Sequence, residues 1–377
     1  MSESAPTTES GAVLTRAGLD ELVDTLMADG YRVIGPVVRG DAIVLAELGS
    51  GADLPAGWGV DTSPGSYRLR RRADEAVFGH SAGPGSWKEF LHPPRQRLWQ
   101  AQDGADVPYA FLGVRACDLA AIATLGDVLG ADNHPDSSFT RKRAALFVVA
   151  AGCTEPGGVC FCASMGTGPR PGPGYDLALT EQIDDAGHRF VVEVGSKRGS
   201  QLLSRIGHRA AAASDLKSAR AAVDAAAERM GRQMPDVDIR DLLARSRESP
   251  SWDDVASRCL TCGNCTMVCP TCFCTTVEDS SDLTGEHAER WQRWASCFEL
   301  DFSYLHGGSV RSSGASRYRQ WITHKLSTWH DQFGSSGCVG CGRCIAWCPV
   351  GIDITAEVAT LARLQAEKSQ EEDCGGG

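Results

Sequence analysis

The chain has 377 residues, 42% of them hydrophobic and 23% charged, with a formal net charge of −11. That length suffices for two or three domains with their own cores, and the acidic balance argues against nucleic acid as a main partner, because phosphate binding needs a basic surface. No apolar run approaches the roughly 18 residues of a membrane span, and MSESAPTTES lacks the basic-then-apolar pattern of a signal peptide, so the expected location is the cytoplasm.

Residues 1–12 read as a disordered leader. A helix is predicted over 15–29, where Leu19, Leu22, Val23, Leu26 and Met27 share one face and Gly30 supplies a stop. YRVIGPVV and DAIVLAEL read as two strands around Arg39-Gly40-Asp41, the Gly-, Pro- and Ser-rich stretch 49–66 as loop, and Tyr67 to Arg72 as a basic strand or edge. YAFLGVR (109–115) reads as a buried strand leading through Cys117 into an apolar helix, and AALFVVAAG (144–152) as a second buried strand leading to Cys153. Strands apolar on both faces that alternate with helices imply a parallel or mixed sheet, and ligands of such sheets bind beyond the carboxyl ends of the strands. Two more strands follow over 175–194, then an Ala-rich helix over 209–231 and a shorter helix between Pro235 and Pro250.

Beyond that point the composition turns to Cys, Trp and Arg. The predicted organisation is an α/β domain with a mixed sheet over 13–240, a mainly helical dicluster ferredoxin-like domain over 241–367, and a disordered tail over 368–377 that takes Cys374 out of consideration as a ligand.

Sixteen cysteines are many for this length, and eight form two runs. Close neighbours of this kind in a reducing compartment read as metal ligands rather than disulfides. The first run is Cys259, Cys262, Cys265 and Cys269 followed by Pro270; the second is Cys338, Cys341, Cys344 and Cys348 followed by Pro349. Each has the bacterial ferredoxin spacing, in which three close cysteines hold one [4Fe–4S] cluster and the fourth ligates the other. The expected sets are therefore Cys259, Cys262, Cys265 and Cys348 for one cluster, and Cys338, Cys341, Cys344 and Cys269 for the other. Gly263 and Gly342 would let the backbone approach and aim N–H groups at sulfur, and the closing prolines stop helix continuation. Structural zinc favours separated Cys-x2-Cys pairs instead.

Residues 270–337 separate the runs. WQRWASCFELDFSYL and SRYRQWITHKLSTWHDQF read as mainly helical, with Trp291, Trp294, Trp321 and Trp329 as core. Cys117, Cys153, Cys160 and Cys162 at one end of the sheet are candidates for a third iron–sulfur cluster, with Asp118 a further potential ligand; the alternative is that Cys117 and Cys153 are small buried hydrophobes. Cys272 and Cys274, just past the first run, could line that cluster, join the extra site or simply pack, with packing favoured, and Cys297 reads as core. Arg311, Arg317, Arg319 and Lys325 are a candidate docking face for an acidic partner, though such a scatter is commonly solvated surface. No GxGxxG, GxxxxGK[ST] or HExxH is present, so neither a nucleotide site nor a catalytic site is predicted.

The segments FLGVRACDLAAI, CFCASMGTGP, CLTCGNCTMVCPTCFC and GCVGCGRCIAWCPVGIDI, in this order, resemble the β subunit of cytoplasmic NAD(P)-linked [NiFe] hydrogenases of the sulfhydrogenase type. The chain is similar almost as closely to the electron-transfer component of anaerobic sulfite reductases. The resemblance spans roughly residues 65–360, and the cysteines of both runs match the family pattern position by position. It implies a non-catalytic protein that relays single electrons between the small subunit of the [NiFe] enzyme and a flavin/NAD(P)H subunit, or serves the corresponding place in a sulfite reductase.

Overall fold

The computed structural model describes residues 11–98, 107–130 and 134–375; most of the leader expected over 1–12 and the last two residues of the tail lie outside them. Strand β1 (Ala12–Thr15) runs directly into helix α1 (Arg16–Ala28), where Thr15 accepts the Gly18 N–H as N-cap. The stripe Leu19, Leu22, Val23 and Leu26 is buried, as its spacing predicts, each leucine contributing about 1.5–3 kcal/mol. β2 (Arg32–Arg39) and β3 (Ala42–Glu47) pair antiparallel around Gly40. β4 (Trp58–Ser63) and β5 (Ser66–Arg71) form a second hairpin, so the segment expected as loop over 49–66 is in part a strand. Short α2 (Lys88–Leu91) and β6 (Arg95–Arg97) follow, then β7 (Tyr109–Arg115), α3 (Ala116–Leu129), α4 (Ser137–Ala145) and β8 (Phe147–Ala151). β9 (Leu177–Asp184), β10 (Gly187–Val194), α5 (Lys197–Leu203), β11 (Arg209–Ala210) and α6 (Ala213–Ala227) complete this half.

The main sheet has the order β11-β1-β10-β9-β8-β7-β2-β3. β2, β7, β8 and β9 are mutually parallel, and the flanking strands join antiparallel, so the sheet is mixed as predicted. Its central strands are buried on both faces. Leu112 and Val149 point into one core with Leu22 and Phe190, while Phe111 and Val148 point into the opposite one with Trp87 and Ile122. Cys117 sits one residue into α3, just past β7, and Cys153 follows β8, so both lie at the carboxyl edge where the sheet topology opens a crevice.

The second half begins with α7 (Ile239–Arg245), α8 (Ser251–Arg258) and α9 (Asn264–Met267). β12 (Thr275–Ser281) and β13 (Ala288–Trp294) then form a hairpin, followed by the small ribbon β14 (Tyr304–Leu305) and β15 (Gly308–Ser309). α10 (Gly314–Thr323), a π turn over His324–Thr328, α11 (Trp329–Phe333), α12 (Arg343–Ala346) and α13 (Ile354–Gly375) close the chain. The mainly helical description therefore holds only in part. WQRW and Tyr304–Leu305 are extended, and β13 is the middle of a three-stranded sheet with β12 and β6. Opposite charges across this ribbon, Asp279 with Arg290 and Glu278 with Arg293, favour strand pairing over helix. Trp321 and Trp329 are core, but Trp291 and Trp294 are only half-buried and carry Arg95 and Lys88 over their ring faces at 4.2 and 3.6 Å. The tail expected to be disordered from 368 continues α13 to Gly375 instead; its sequence is rich in strong helix formers and extends a helix whose start is anchored by buried Val358 and Leu361.

The core of this half holds Leu243, Trp252, Trp321, Ile345 and Val358, and it takes in Val159 and Phe161 from the loop after β8. The cysteine-bearing loop of the α/β half is thereby packed into the second half. No described helix is long and apolar enough to cross a membrane.

Candidate metal centres

Both cysteine runs use the same backbone device. In the first run Thr261 has φ 51° and Gly263 φ 73°; at the equivalent places of the second run Gly340 has φ 64° and Gly342 φ 74°. Two left-handed residues two positions apart curl the chain so that consecutive cysteines turn toward one point. The Thr261 N–H then reaches the Cys259 Sγ at 3.4 Å, and the Ile352 N–H reaches the Cys348 Sγ at 3.3 Å. A threonine tolerates this region at a cost of about 1–2 kcal/mol, so the turn is enforced by its surroundings.

Cys259, Cys262 and Cys265 line one hollow together with Cys348, the last cysteine of the other run, against Phe298 and Trp321. Cys262 is exposed, and its neighbours Leu260 and Val350 are 61% and 42% exposed, so this hollow reaches the surface. Cys269, by contrast, lies away from its own run. Its charge acts on Cys338, Cys341 and Cys344, which also act on one another. Burial pushes the Cys338 thiol up to about 12 and that of Cys341 to about 11, opposed by Lys325 at the first and Arg343 at the second. Such thiols stay protonated unless a metal replaces the proton.

Cys117, Cys153, Cys160 and Cys162 line another hollow, at a third site, joined there by Cys341. Cys117 lies beside Cys162, and this neighbour together with burial raises it well above the ordinary thiol value. The loop carrying Cys160 and Cys162 is clamped to the second run: the Phe161 N–H donates to Gly340 O at 2.9 Å and Thr167 Oγ1 to Val339 O at 2.7 Å. Arg115, at the end of β7, lines the same hollow. Its Nη2 donates to Phe78 O and His80 O, while its buried Nη1 has no protein partner. A buried guanidinium with an unspent donor beside four thiols suits an anionic group in that space.

Asp118, expected as a potential ligand, is engaged otherwise. Both of its oxygens accept from Arg343, at 2.8 and 3.0 Å, in a pair only 3–4% exposed. Arg343 also donates to Gly83 O and Gly85 O, so the guanidinium is well satisfied. Lys325, read as a candidate surface residue, is buried beside Cys269. Burial opposes its charge, but the neighbouring cysteines, Cys269 first, outweigh this and hold it well above the ordinary lysine value. Cys297 is pushed up to about 12 by burial and by the nearby Cys274. The sequence pattern did not disclose the roles of Arg115, Arg343 and Lys325. The one local signal was Arg343 inside the second run, between Cys341 and Cys344.

These donors suit iron–sulfur cubes better than single zinc ions. Zinc draws four donors to one point, and among the described residues no three Cys, His, Asp or Glu side chains are gathered that tightly. Two of the groups instead line hollows with apolar walls, and main-chain N–H groups reach the sulfurs of Cys259 and Cys348.

Residues 258–352 match the family described as 4Fe-4S dicluster domain. Over 276 residues the chain is 31% identical to sulfhydrogenase 2 subunit beta of Pyrococcus furiosus, an alignment covering 71% of this chain and 79% of that protein. No solved structure matches.

Proposed function

Since the chain belongs to the hydrogenase β-subunit family to which sulfhydrogenase 2 subunit beta belongs, we propose that it is the iron–sulfur electron-transfer subunit of a cytoplasmic hydrogenase. In this reading it relays single electrons between a flavin subunit that uses NAD(P)H and the small subunit of the [NiFe] enzyme, and it has no catalytic residues of its own. A bound [4Fe–4S] cluster supplies the chemistry, taking up and releasing one electron at a time.

Cys259, Cys262, Cys265 and Cys348 hold the first cluster. Cys338, Cys341, Cys344 and Cys269 hold the second, and Cys117, Cys153, Cys160 and Cys162 a third. The observation that carries this assignment is the exchange of the fourth cysteine: Cys348 lines the hollow of the first run, and Cys269 lies among the thiols of the second. Cys344 borders the hollow of the first site and Cys341 that of the third, so the sites form a row with the second in the middle. The protein's own work is to exclude water and to set charge. Phe298 and Trp321 wall the first site, Arg115 offers its free donor to the third, and the Arg343–Asp118 pair ties the second run to α3. Exposed Cys262 makes the first site the port to a partner protein.

Cys344→Ser tests the relay in the assembled complex. It is expected to strip or cripple the middle cluster and to stop NAD(P)H-dependent reduction of the partner. Reduction at the wild-type rate in that variant would exclude the relay.

A further inference from the structure

Lys325 is the buried charge that the proposed relay leaves without a task. It is 3% exposed and lies in the π turn between α10 and α11, a local widening of the helix that recurs at functional sites. Its Nζ donates to the Cys269 Sγ at 3.2 Å, Thr271 Oγ1 at 2.9 Å and Gly337 O at 3.1 Å. These use all three ammonium hydrogens, and none of the partners is a carboxylate. An ammonium buried without a carboxylate is costly unless some other negative charge compensates it. The charge at hand is that of a cluster held by the Cys269 sulfur that Lys325 bonds and by Cys338, which follows Gly337 directly. Lys325 is thus fastened to the fourth cysteine of the first run and to the entrance of the second.

Among the described hydrogen bonds no other cation donates to a cysteine sulfur. Lys88 is also buried, but its Nζ donates to the Cys272 carbonyl at 2.9 Å and lies over the Trp294 ring face, with no hydrogen bond to sulfur among those described. Arg343 is neutralised by Asp118. At the first site the sulfur partners among the described hydrogen bonds are main-chain N–H groups, those of Thr261 and Ile352.

We propose that Lys325 is a redox-tuning residue whose fixed positive charge raises the reduction potential of the cluster held by Cys269, Cys338, Cys341 and Cys344 above that of the first cluster. The physical reason is that reduction adds negative charge to the cluster, and a cation hydrogen-bonded to a ligand sulfur in a low-dielectric interior stabilises the reduced state more than the oxidised one. The middle of the row then becomes the place where an arriving electron rests before moving on. This rests on the assignment of Cys269 to the second cluster.

The test is an EPR-monitored redox titration of the full-length chain, prepared anaerobically, with Cys262→Ser and Cys160→Ser used to remove the first and third clusters and so identify the second. Lys325→Met removes charge and hydrogen bonds; Lys325→Gln keeps a hydrogen-bond donor and removes only charge. Both are expected to make reduction of the second cluster at least tenfold less favourable, a fall of about 59 mV for one electron, with iron content and the first cluster unchanged. An unshifted second cluster in both variants would overturn the proposal, as would a shift in Lys325→Met that Lys325→Gln restores, which would assign the effect to hydrogen bonding. Loss of iron from both variants would also overturn it, by giving Lys325 a structural duty. A wild-type chain without a second cluster would instead overturn the assignment on which the proposal rests.

Discussion

Gly340 and Gly342 carry more of the architecture than their size suggests. A Cβ on Gly340 would stand 2.6 Å from the backbone of Cys162, and one on Gly342 would stand 2.4 Å from Val159 O. Both glycines therefore let the second cysteine run lie flat against the loop of the third site, in addition to adopting a left-handed turn. Gly340→Ala is expected to destabilise the chain by about 2 kcal/mol or more, combining left-handed strain with overpacking. Gly126 is the control: it lies in α3, with nothing within 4 Å of an added Cβ, and Gly126→Ala should stabilise by about 0.5–1 kcal/mol. Anaerobic urea unfolding of the two variants measures both. The spacing of the cysteines and the need for Gly263 and Gly342 were legible in the sequence, because ligand spacing is a local property. The partners of Lys325 and Asp118 were not, because Cys269 and Arg343 reach them across 56 and 225 residues.

Helices and central strands could be read wherever one period dominated. The stripe of α1 and the unbroken apolar runs of β7 and β8 gave their elements and the mixed sheet directly. The β12–β13 ribbon was missed because its strands carry charges and tryptophans in place of an apolar face, and their pairing depends on β6, nearly two hundred residues earlier. The link between α12 and α3 was likewise hidden, since it is a buried ion pair between residues 225 apart in sequence. Arg343→Met should cost about 3–5 kcal/mol by leaving Asp118 buried and unpaired. Adding Asp118→Leu should recover much of that loss, because two apolar groups leave no stranded charge. A double-mutant cycle by denaturant unfolding gives the coupling, and equal losses in the single and double variants would contradict it.

At the scale of the whole molecule, the loop of the α/β half that holds Phe161 belongs to the core of the other half, so the two halves are expected to unfold together. Acid should reveal one weakness of that shared structure. Burial lowers His80 to about 3 and His92 to about 4, so both are neutral in the fold. In the unfolded chain each takes a proton near pH 6.5. Stability attributable to them is therefore complete above that pH and is lost as the pH falls toward 4, by up to about 1.4 kcal/mol per unit for each histidine. Urea midpoints between pH 7 and 5 should fall accordingly, and His80→Gln should flatten the slope. The proposed relay depends on thiolates in shared groups, each completed by a cysteine from a distant part of the chain. Iron and acid-labile sulfide analysis of the anaerobically purified chain tests this most directly. The account predicts about twelve irons and as many sulfides per chain, whereas fewer than about four irons, with stoichiometric zinc in their place, would contradict it.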